Sequence, residues 1–279
     1  MRWPPLAAGL SGRYAGPMRS RRRVGPLAGY QLPRGFTLTE MLVVIAIIVL
    51  LISIVFVVAR WSMVSARGVA CLQNERSITA AFFSYATDNA GRFAGTDTGV
   101  HKHDWDQATN YLNSQGYETE KGITTGSLWP YLLDKRVYKS PFDPFTLTQR
   151  IRSYSISGFL SDSIGWQWAG PPNKLVSGLA RIKRPSDTLA VVVEYDHRGY
   201  NINSWGVMGN TSYIWVDKLC NWNPRHFNFS FADGHVEPFK YVSPKEDVDY
   251  YFTLPANSIY FETPDYDWVV MHLYPGLDW

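Results

Sequence analysis

The longest apolar run of the chain lies near its amino end and contains no charged residue. It covers the nineteen residues 41–59, with Ser53 as the sole hydroxyl. At 1.5 Å per residue, a helix of this length spans roughly 28 Å, which is close to the hydrocarbon thickness of a bilayer. Backbone groups inside lipid must be hydrogen-bonded internally, so the pattern predicts a transmembrane helix within 36–59.

The apolar pattern continues beyond this run with the spacing of a helix. Apolar residues recur three and four positions apart as far as Tyr85, with polar and charged residues between them. No proline interrupts this stretch, and Asp-Asn-Ala-Gly at 88–91 is a helix stop signal. The pattern therefore predicts one helix from about Leu38 to Thr87. Its exported amphipathic part, 60–90, would offer an apolar stripe to a globular domain.

Residues 91–279 are predicted to form a globular head in which short β-type runs alternate with turns. The run 188–194 is rich in β-branched residues and is predicted to be a central strand. The runs on either side of Asp233-Gly234 predict a hairpin over 228–241 with a two-residue primed turn. Weaker signals predict a short helix or turn at 128–133 and a further strand at 152–158. The C-terminal tail gives no assignment. The predicted fold class is α+β, with a long N-terminal helix packed on a mainly antiparallel sheet.

Basic residues are concentrated at the amino end. Residues 1–35 contain seven arginines and no acidic residue, so the positive-inside rule places this leader in the cytoplasm and the head outside it. The whole chain carries a formal charge of +3, and removing those seven arginines leaves −4. A mildly acidic head argues against nucleic-acid binding. Translation from Met18 would give a shorter basic leader.

The junction between leader and helix carries the most specific motif. The leader ends at Gly35, Phe36 opens the apolar helix, and Glu40 is the only acidic residue of the first 59. This arrangement resembles the class III signal of type IV prepilins and type II secretion pseudopilins. The resemblance implies that a membrane-bound prepilin peptidase cleaves the Gly35–Phe36 bond and methylates the new amine of Phe36. A Sec-type signal peptide and an uncleaved signal anchor are the alternatives.

The same resemblance implies an assembly role for Glu40. A carboxylate at the lipid-embedded end of a helix needs a cationic partner. In pilin-like assemblies that partner is the Phe36 ammonium of a neighbouring subunit. The alternative is an interfacial carboxylate bonded to water and to its own N-terminus. The expected partners are prepilin peptidase, other pilin-like subunits and the inner membrane. The head is expected to be periplasmic or part of an extracellular filament.

Two segments of the head extend the resemblance to a narrower group. Residues 70–93 resemble the helix end of pilin-like proteins that are abundant in planctomycetes. His226, a six-residue spacer and Asp233-Gly234 resemble a degenerate form of that group's His-spacer-Asp-Gly element, whose usual spacer has nine residues. The Asp-Gly pair is expected to be a structural turn.

The chain contains two cysteines, Cys71 and Cys220, which permit one disulfide. Two free buried thiols are the alternative. In the resembling proteins a cysteine commonly stands where this chain has Ser140, directly before a proline. The usual pairing is therefore in doubt, and Cys220 is left as the candidate partner of Cys71.

Polar and aromatic clusters in the head offer weaker candidates. His101, His103, Asp104 and Asp106 could hold a transition metal or calcium, but a solvated loop is the preferred interpretation. No residue is assigned as a ligand and no cofactor is expected, with calcium as the alternative. Asp265 and Asp267 form a second weak pair of candidate carboxylates. The tryptophans that could stack on sugar rings are Trp166, Trp168, Trp205, Trp215 and Trp222.

The sequence contains no nucleophile elbow, no metalloprotease motif and no phosphate-binding loop. A structural subunit of a type II secretion pseudopilus or a type IV pilus-like filament is therefore predicted, and not an enzyme. The alternative is a membrane-tethered module that binds a glycan or another surface ligand and does not polymerise.

Overall fold

The computed structural model describes residues 35–145, 150–161, 175–195, 204–208, 214–215, 217–220, 222, 227–244 and 263–273. The chain divides into two compact units, Met1–Val55 and Phe56–Trp279. Helix α1 extends from Leu38 to Asp88, so it begins in the first unit and ends in the second. The predicted helix from about Leu38 to Thr87 is confirmed to within one residue at its C-terminal end.

In the first unit, the described residues 35–55 are all exposed. Helix α1 is long and apolar enough to cross a membrane, and its most apolar window of 18 residues is nowhere buried. The one hydroxyl of the apolar run is satisfied within the helix, because Ser53 Oγ donates to the Leu50 carbonyl at 2.7 Å. Such internal hydrogen bonding is what lipid surroundings require.

The C-terminal end of α1 is closed by a turn that the stop signal at 88–91 encodes. The Gly91 amide donates to the carbonyl of Ala86 at 2.7 Å, which is the long bond of a Schellman motif. Ala90 and Gly91 both have positive φ, 57° and 81°. The backbone therefore leaves the helix sharply, and Phe93 packs back onto the ring of Phe82 with 4.9 Å between ring centroids.

In the second unit, the last turns of α1 pack on an antiparallel sheet. Ile78, Phe82 and Ala86 are each 0% exposed and share one apolar core with Tyr154 and Val191 of the sheet. Their spacing of four residues places them on one face of α1. The amphipathic stripe read from the sequence is thus the face that the head covers.

The main sheet has five strands in the described part of the chain. Its order is β1-β2-β6-β7, and β5 pairs with the end of β2. Every pairing in it is antiparallel. A separate antiparallel ribbon is formed by β3 and β4. The bounds are β1 Tyr154–Ile156, β2 Leu189–Tyr195, β3 Val207–Met208, β4 Ile214–Trp215, β5 Lys218–Leu219, β6 Phe227–Phe231 and β7 Val236–Phe239.

Strand β2 lies at the centre of the sheet and is buried on both faces. Val191 and Val193 belong to the core beneath α1, whereas Leu189 and Val192 belong to the opposite core. A strand covered on both sides has no polar face, which explains its continuous apolar sequence. The predicted central strand and the α+β fold, a long helix on an antiparallel sheet, are confirmed.

The opposite core contains a helix that the sequence analysis did not assign. Helix α4 (Pro264–Leu273) packs Val269, Val270 and Leu273 against β6 and β2. Its first turn is fixed by Thr263, whose Oγ1 accepts the Tyr266 amide at 3.1 Å. A threonine cap before Pro264 is a recognised helix start, so the signal was present in the unassigned tail.

The hairpin is confirmed, but its predicted two-residue primed turn is wrong. Strands β6 and β7 are joined by 232–235, and the Gly234 amide donates to the Phe231 carbonyl at 2.9 Å. Asp233 is not among the residues with positive φ, whereas Gly234 has φ of 91°. A type I′ turn needs positive φ at both central residues and a type II′ turn needs it at the first, so the φ of Asp233 excludes both. The geometry is instead that of a turn followed by a left-handed glycine, which forms a bulge.

Short helices occur between α1 and β1 and between β1 and β2. They comprise α2 (Glu120–Thr125), α3 (Trp129–Leu132) and the 3-10 segments Ala108–Tyr111, Lys135–Tyr138, Leu179–Arg181 and Pro185–Asp187. The predicted short helix or turn at 128–133 corresponds to α3, and the predicted strand at 152–158 contains β1.

Candidate processing and assembly site

Gly35 is exposed two residues before the Thr37 cap of α1. A Cβ placed on this glycine would meet no atom within 4 Å, and its φ lies outside the left-handed range. Phe36 is 78% exposed. The fold therefore gives no steric reason for glycine at position 35, and a requirement for glycine there would come from whatever acts on the exposed junction.

The start of α1 is closed by a reciprocal capping box. The Thr37 hydroxyl accepts the Glu40 amide at 3.2 Å, and Glu40 Oε2 accepts the Thr37 amide at 2.8 Å. The Thr37 hydroxyl also donates to Glu40 Oε2 at 2.7 Å. Two amides that lack partners within the helix are satisfied in this way. Thr-x-x-Glu is the sequence signature of this motif, so the capping box has a local signal in the chain.

The capping box gives Glu40 a local role that any assembly role must accommodate. Both bonds that the carboxylate accepts among the described residues end at Oε2. The side chain stays on the exposed start of the helix, where it also complements the positive end of the helix dipole. Glutamine can form the same box without a charge, so capping and charge can be separated experimentally.

Both cysteines are free and buried in the head. Cys71 Sγ lies 3.2 Å from Ser140 Oγ, and Cys220 Sγ accepts the Trp222 amide at 3.3 Å. Burial raises the pKa of both thiols. The two thiols line one cavity, and a disulfide between them stays a prediction.

The Asp233-Gly234 turn is held by local contacts. Asp233 Oδ1 accepts the His235 amide at 3.0 Å and lies 2.5 Å from His235 Nδ1. The His235 ring stacks on Phe231 at 4.2 Å between centroids. These bonds account for the Asp-Gly pair by turn geometry. His226, the first residue of the degenerate element, lies outside the described residues.

The loop with the predicted metal candidates is not solvated at its aspartates, so that part of the interpretation is wrong. Asp104 and Asp106 are each 0% exposed. Asp104 Oδ2 accepts the amides of His101 and Gly99 at 2.6 and 3.2 Å. The rings of His101 and His103 lie 5.6 Å apart. In the part of the chain that the structure describes, no group of three possible ligands is assembled.

Asp106 instead belongs to a buried ion-pair network around Arg152. The Arg152 guanidinium contacts Asp106 Oδ2 at 2.6 Å and Glu118 Oε1 at 2.8 Å. It also donates to the Tyr154 carbonyl at 3.0 Å and lies 4.8 Å from the centre of the Trp105 ring. This network fastens the loop to the sheet. No short motif marks it, since its members are far apart in sequence.

The remaining candidates have structural surroundings. Asp265 is buried and accepts the amides of Val242 and Ser243 at 2.7 and 3.0 Å. Asp267 lies exposed in the same helical turn. Trp205 is 1% exposed and belongs to the core. Trp166 and Trp168 lie outside the described residues.

Comparison with known proteins supports the junction as the informative site. Residues 33–56 match the prokaryotic N-terminal methylation motif, which is of the prepilin type. The match ends inside α1 and covers a small part of the 279 residues. Comparison with curated proteins and with solved structures gave no match. The motif implies processing by prepilin peptidase, and with the apolar helix it suggests a single membrane anchor.

Proposed function

We propose that this chain is a pilin-like structural subunit that is cleaved at Gly35–Phe36, methylated at Phe36 and assembled through its N-terminal helix. The observation that carries the proposal is the methylation motif at 33–56, set at the exposed start of an apolar helix in a pilin-like α+β chain. The filament is a type II secretion pseudopilus or a type IV pilus-like fibre.

The geometry of the junction is suited to processing. Gly35 is exposed, and an added Cβ there meets no atom within 4 Å, so the bond that follows it is open to a peptidase as far as the described residues go. The capping box begins at Thr37, so it survives removal of the leader. The mature chain would begin with Phe36, whose ammonium stays cationic after methylation. The basic leader favours a cytoplasmic N-terminus, with the head on the outer side of the inner membrane.

Assembly through the membrane helix follows from the charge left in that helix. Glu40 is the one acidic residue of the first 59, and a carboxylate near lipid is unfavourable without a cation. The Phe36 ammonium of a second subunit supplies that cation. The capping box holds the carboxylate at the helix start, where such a partner can approach.

The competing function is a tethered module that binds a surface ligand without polymerising. The aromatic content of the chain, 15%, is the observation that favours it. Against it, Trp205 is fully buried and Trp222 is partly buried beside Tyr195. A pull-down of the full chain on immobilised glycans would raise this alternative if it gave specific binding.

Processing is tested by mass spectrometry of the mature N-terminus. The expected product begins with methylated Phe36. Gly35→Ala should retain part of the cleavage and Gly35→Leu should lose it, although a Cβ at this position meets no atom within 4 Å. Unchanged thermal unfolding of the head is the control. An intact Met1 or Met18 terminus, or cleavage beyond Ala59, would contradict the proposal.

A further inference from the structure

The two cysteines of the chain meet at one cavity, although 149 positions separate them. Cys71 lies on the buried face of α1, and Cys220 directly follows β5. The cavity has a volume of about 20 Å³ and is lined by Cys71, Ser140, Phe142, Val193, Cys220, Trp222 and Asn228. Spare volume at this point gives the two sulfurs room to approach.

The surroundings of the thiols leave only one partner for each. Both cysteines are 3% exposed, so a thiol of another subunit has no access to either in the folded head. The hydroxyl of Ser140 lies 3.2 Å from Cys71 Sγ, and a hydroxyl cannot form a disulfide. Since the chain has only two cysteines, each is the sole internal partner of the other.

We propose that Cys71 and Cys220 form a disulfide while the head folds, and that it fastens α1 to the sheet. This inference rests on the proposed function, because export places the head in an oxidising compartment. The folded thiols are buried, so oxidation precedes the final packing of the cavity.

The oxidant is an external disulfide, either of a protein or of a small molecule. The thiolate of one cysteine attacks the donor disulfide, forms a mixed disulfide and releases one donor thiolate. The thiolate of the second cysteine then attacks the first cysteine's sulfur and releases the other donor thiolate. The two chain thiols are oxidised, the donor is reduced to two thiols, and the two protons pass to the released thiolates.

Such a bridge would stabilise the head chiefly by restricting the unfolded chain. It closes a loop of about 150 residues, and loops of this length lose much conformational entropy on closure. It also joins the part of α1 that packs on the head to the residue after β5, the strand that pairs with the end of β2. Reduction of the bridge should lower the midpoint of thermal unfolding by roughly 5–10 °C.

The test uses the full chain, extracted in detergent from cells that export it, with thiol–disulfide exchange stopped by acid at the moment of harvest. After denaturation, a maleimide carrying polyethylene glycol counts the free thiols on a gel. We expect no labelled thiol before reduction and two after it, with a linked Cys71–Cys220 peptide found by mass spectrometry. One or two labelled thiols before reduction, or a chain linked to another molecule, would overturn the proposal.

Matched variants separate the effect of cysteine placement from the effect of the oxidising compartment. Cys71→Ser and Cys220→Ser should each leave one free thiol and no internal link. Ser140→Cys in the Cys220→Ser background should restore a link to Cys71, because the two side-chain atoms are 3.2 Å apart. If that variant becomes linked while the native pair stays reduced, Cys220 is not the partner and the proposal fails.

The same sample also tests the proposed function, by a separate measurement. The mass of its N-terminus reports cleavage and methylation independently of the thiol count. A processed chain with two free thiols would overturn the disulfide and leave the pilin-like function standing. An unprocessed chain with the linked peptide would overturn the pilin-like function and leave the disulfide standing.

Discussion

Glu75 is a carboxyl group buried in the contact between α1 and the sheet. It is 0% exposed, and neither carboxyl oxygen has a hydrogen-bond partner within the described residues. Burial raises its pKa well above the ordinary value. Its titratable neighbours Cys71 and Tyr154 are themselves acids, so they supply no positive charge. Burial raises the pKa of each, and the Glu75 carboxylate contributes to that rise.

Because the folded pKa of Glu75 exceeds the unfolded one, the folded head binds this proton more tightly. Stability therefore falls as pH rises above the unfolded pKa of about 4.3. Glu75→Met should raise the free energy of unfolding by roughly 1–3 kcal/mol at pH 8, and by less at pH 4. Urea unfolding at the two pH values measures this. Glu237→Gln, at an exposed position, is the control and should show little change. An equal gain at both pH values would contradict the account.

Gly234 holds the left-handed position of the β6–β7 turn. Its φ is 91°, and an added Cβ would meet no atom within 4 Å, so the constraint is conformational and not steric. Gly234→Val should lower the free energy of unfolding by about 1 kcal/mol or more, whereas Gly234→Asn should cost less. Chemical denaturation is the measurement. Full stability with loss of a ligand would instead show the turn to be a binding site.

At this scale the sequence predicts bonds only where the partners are close along the chain. The Thr37–Glu40 capping box and the Thr263 cap of α4 have local signatures. The ion pair of Arg152 with Asp106 joins residues 46 positions apart and is set by the tertiary fold. No periodicity or short motif specifies such a pair.

Helix α4 depends on Asp265 for its link to the segment after β7. The buried carboxylate accepts the amides of Val242 and Ser243, and it stands in the first turn of the helix. Asp265→Ala leaves two amides without their acceptor, so the expected loss is roughly 1–3 kcal/mol. Thermal unfolding should show a clearly smaller effect for Asp267→Ala, which is exposed in the same turn. Equal effects of the two variants would contradict this role.

Among the elements, those with long or regular apolar patterns were predictable. Helix α1 and strand β2 follow from periodicity and β-branched content, and the hairpin follows from its turn residues. The type of turn in the hairpin was not predictable, because Asp-Gly suits both a primed turn and a turn with a left-handed glycine bulge. The order of strands depends on long-range pairing, which the sequence pattern does not encode.

At the scale of the whole molecule, the two units differ in their proposed roles. The unit of residues 1–55 carries the processing junction and the apolar helix start, whereas the unit of residues 56–279 buries its own core. Changes at Glu40 should therefore alter assembly and leave the stability of the head unchanged.

The capping box makes the most direct test possible, because two variants separate charge from capping. Glu40→Gln keeps a residue that can close the box and removes the charge, whereas Thr37→Ala removes the cap hydroxyl and keeps the charge. Two tagged copies, each with one cysteine placed within 41–59, report helix contact in membranes by oxidative crosslinking.

The account predicts crosslinking in the native chain and in Thr37→Ala, and its loss in both Glu40→Gln and Glu40→Val. All four chains should be inserted, cleaved before Phe36 and equally stable in the head. Crosslinking of Glu40→Gln at the native level would contradict an intersubunit ion pair at Glu40 and favour a tethered module.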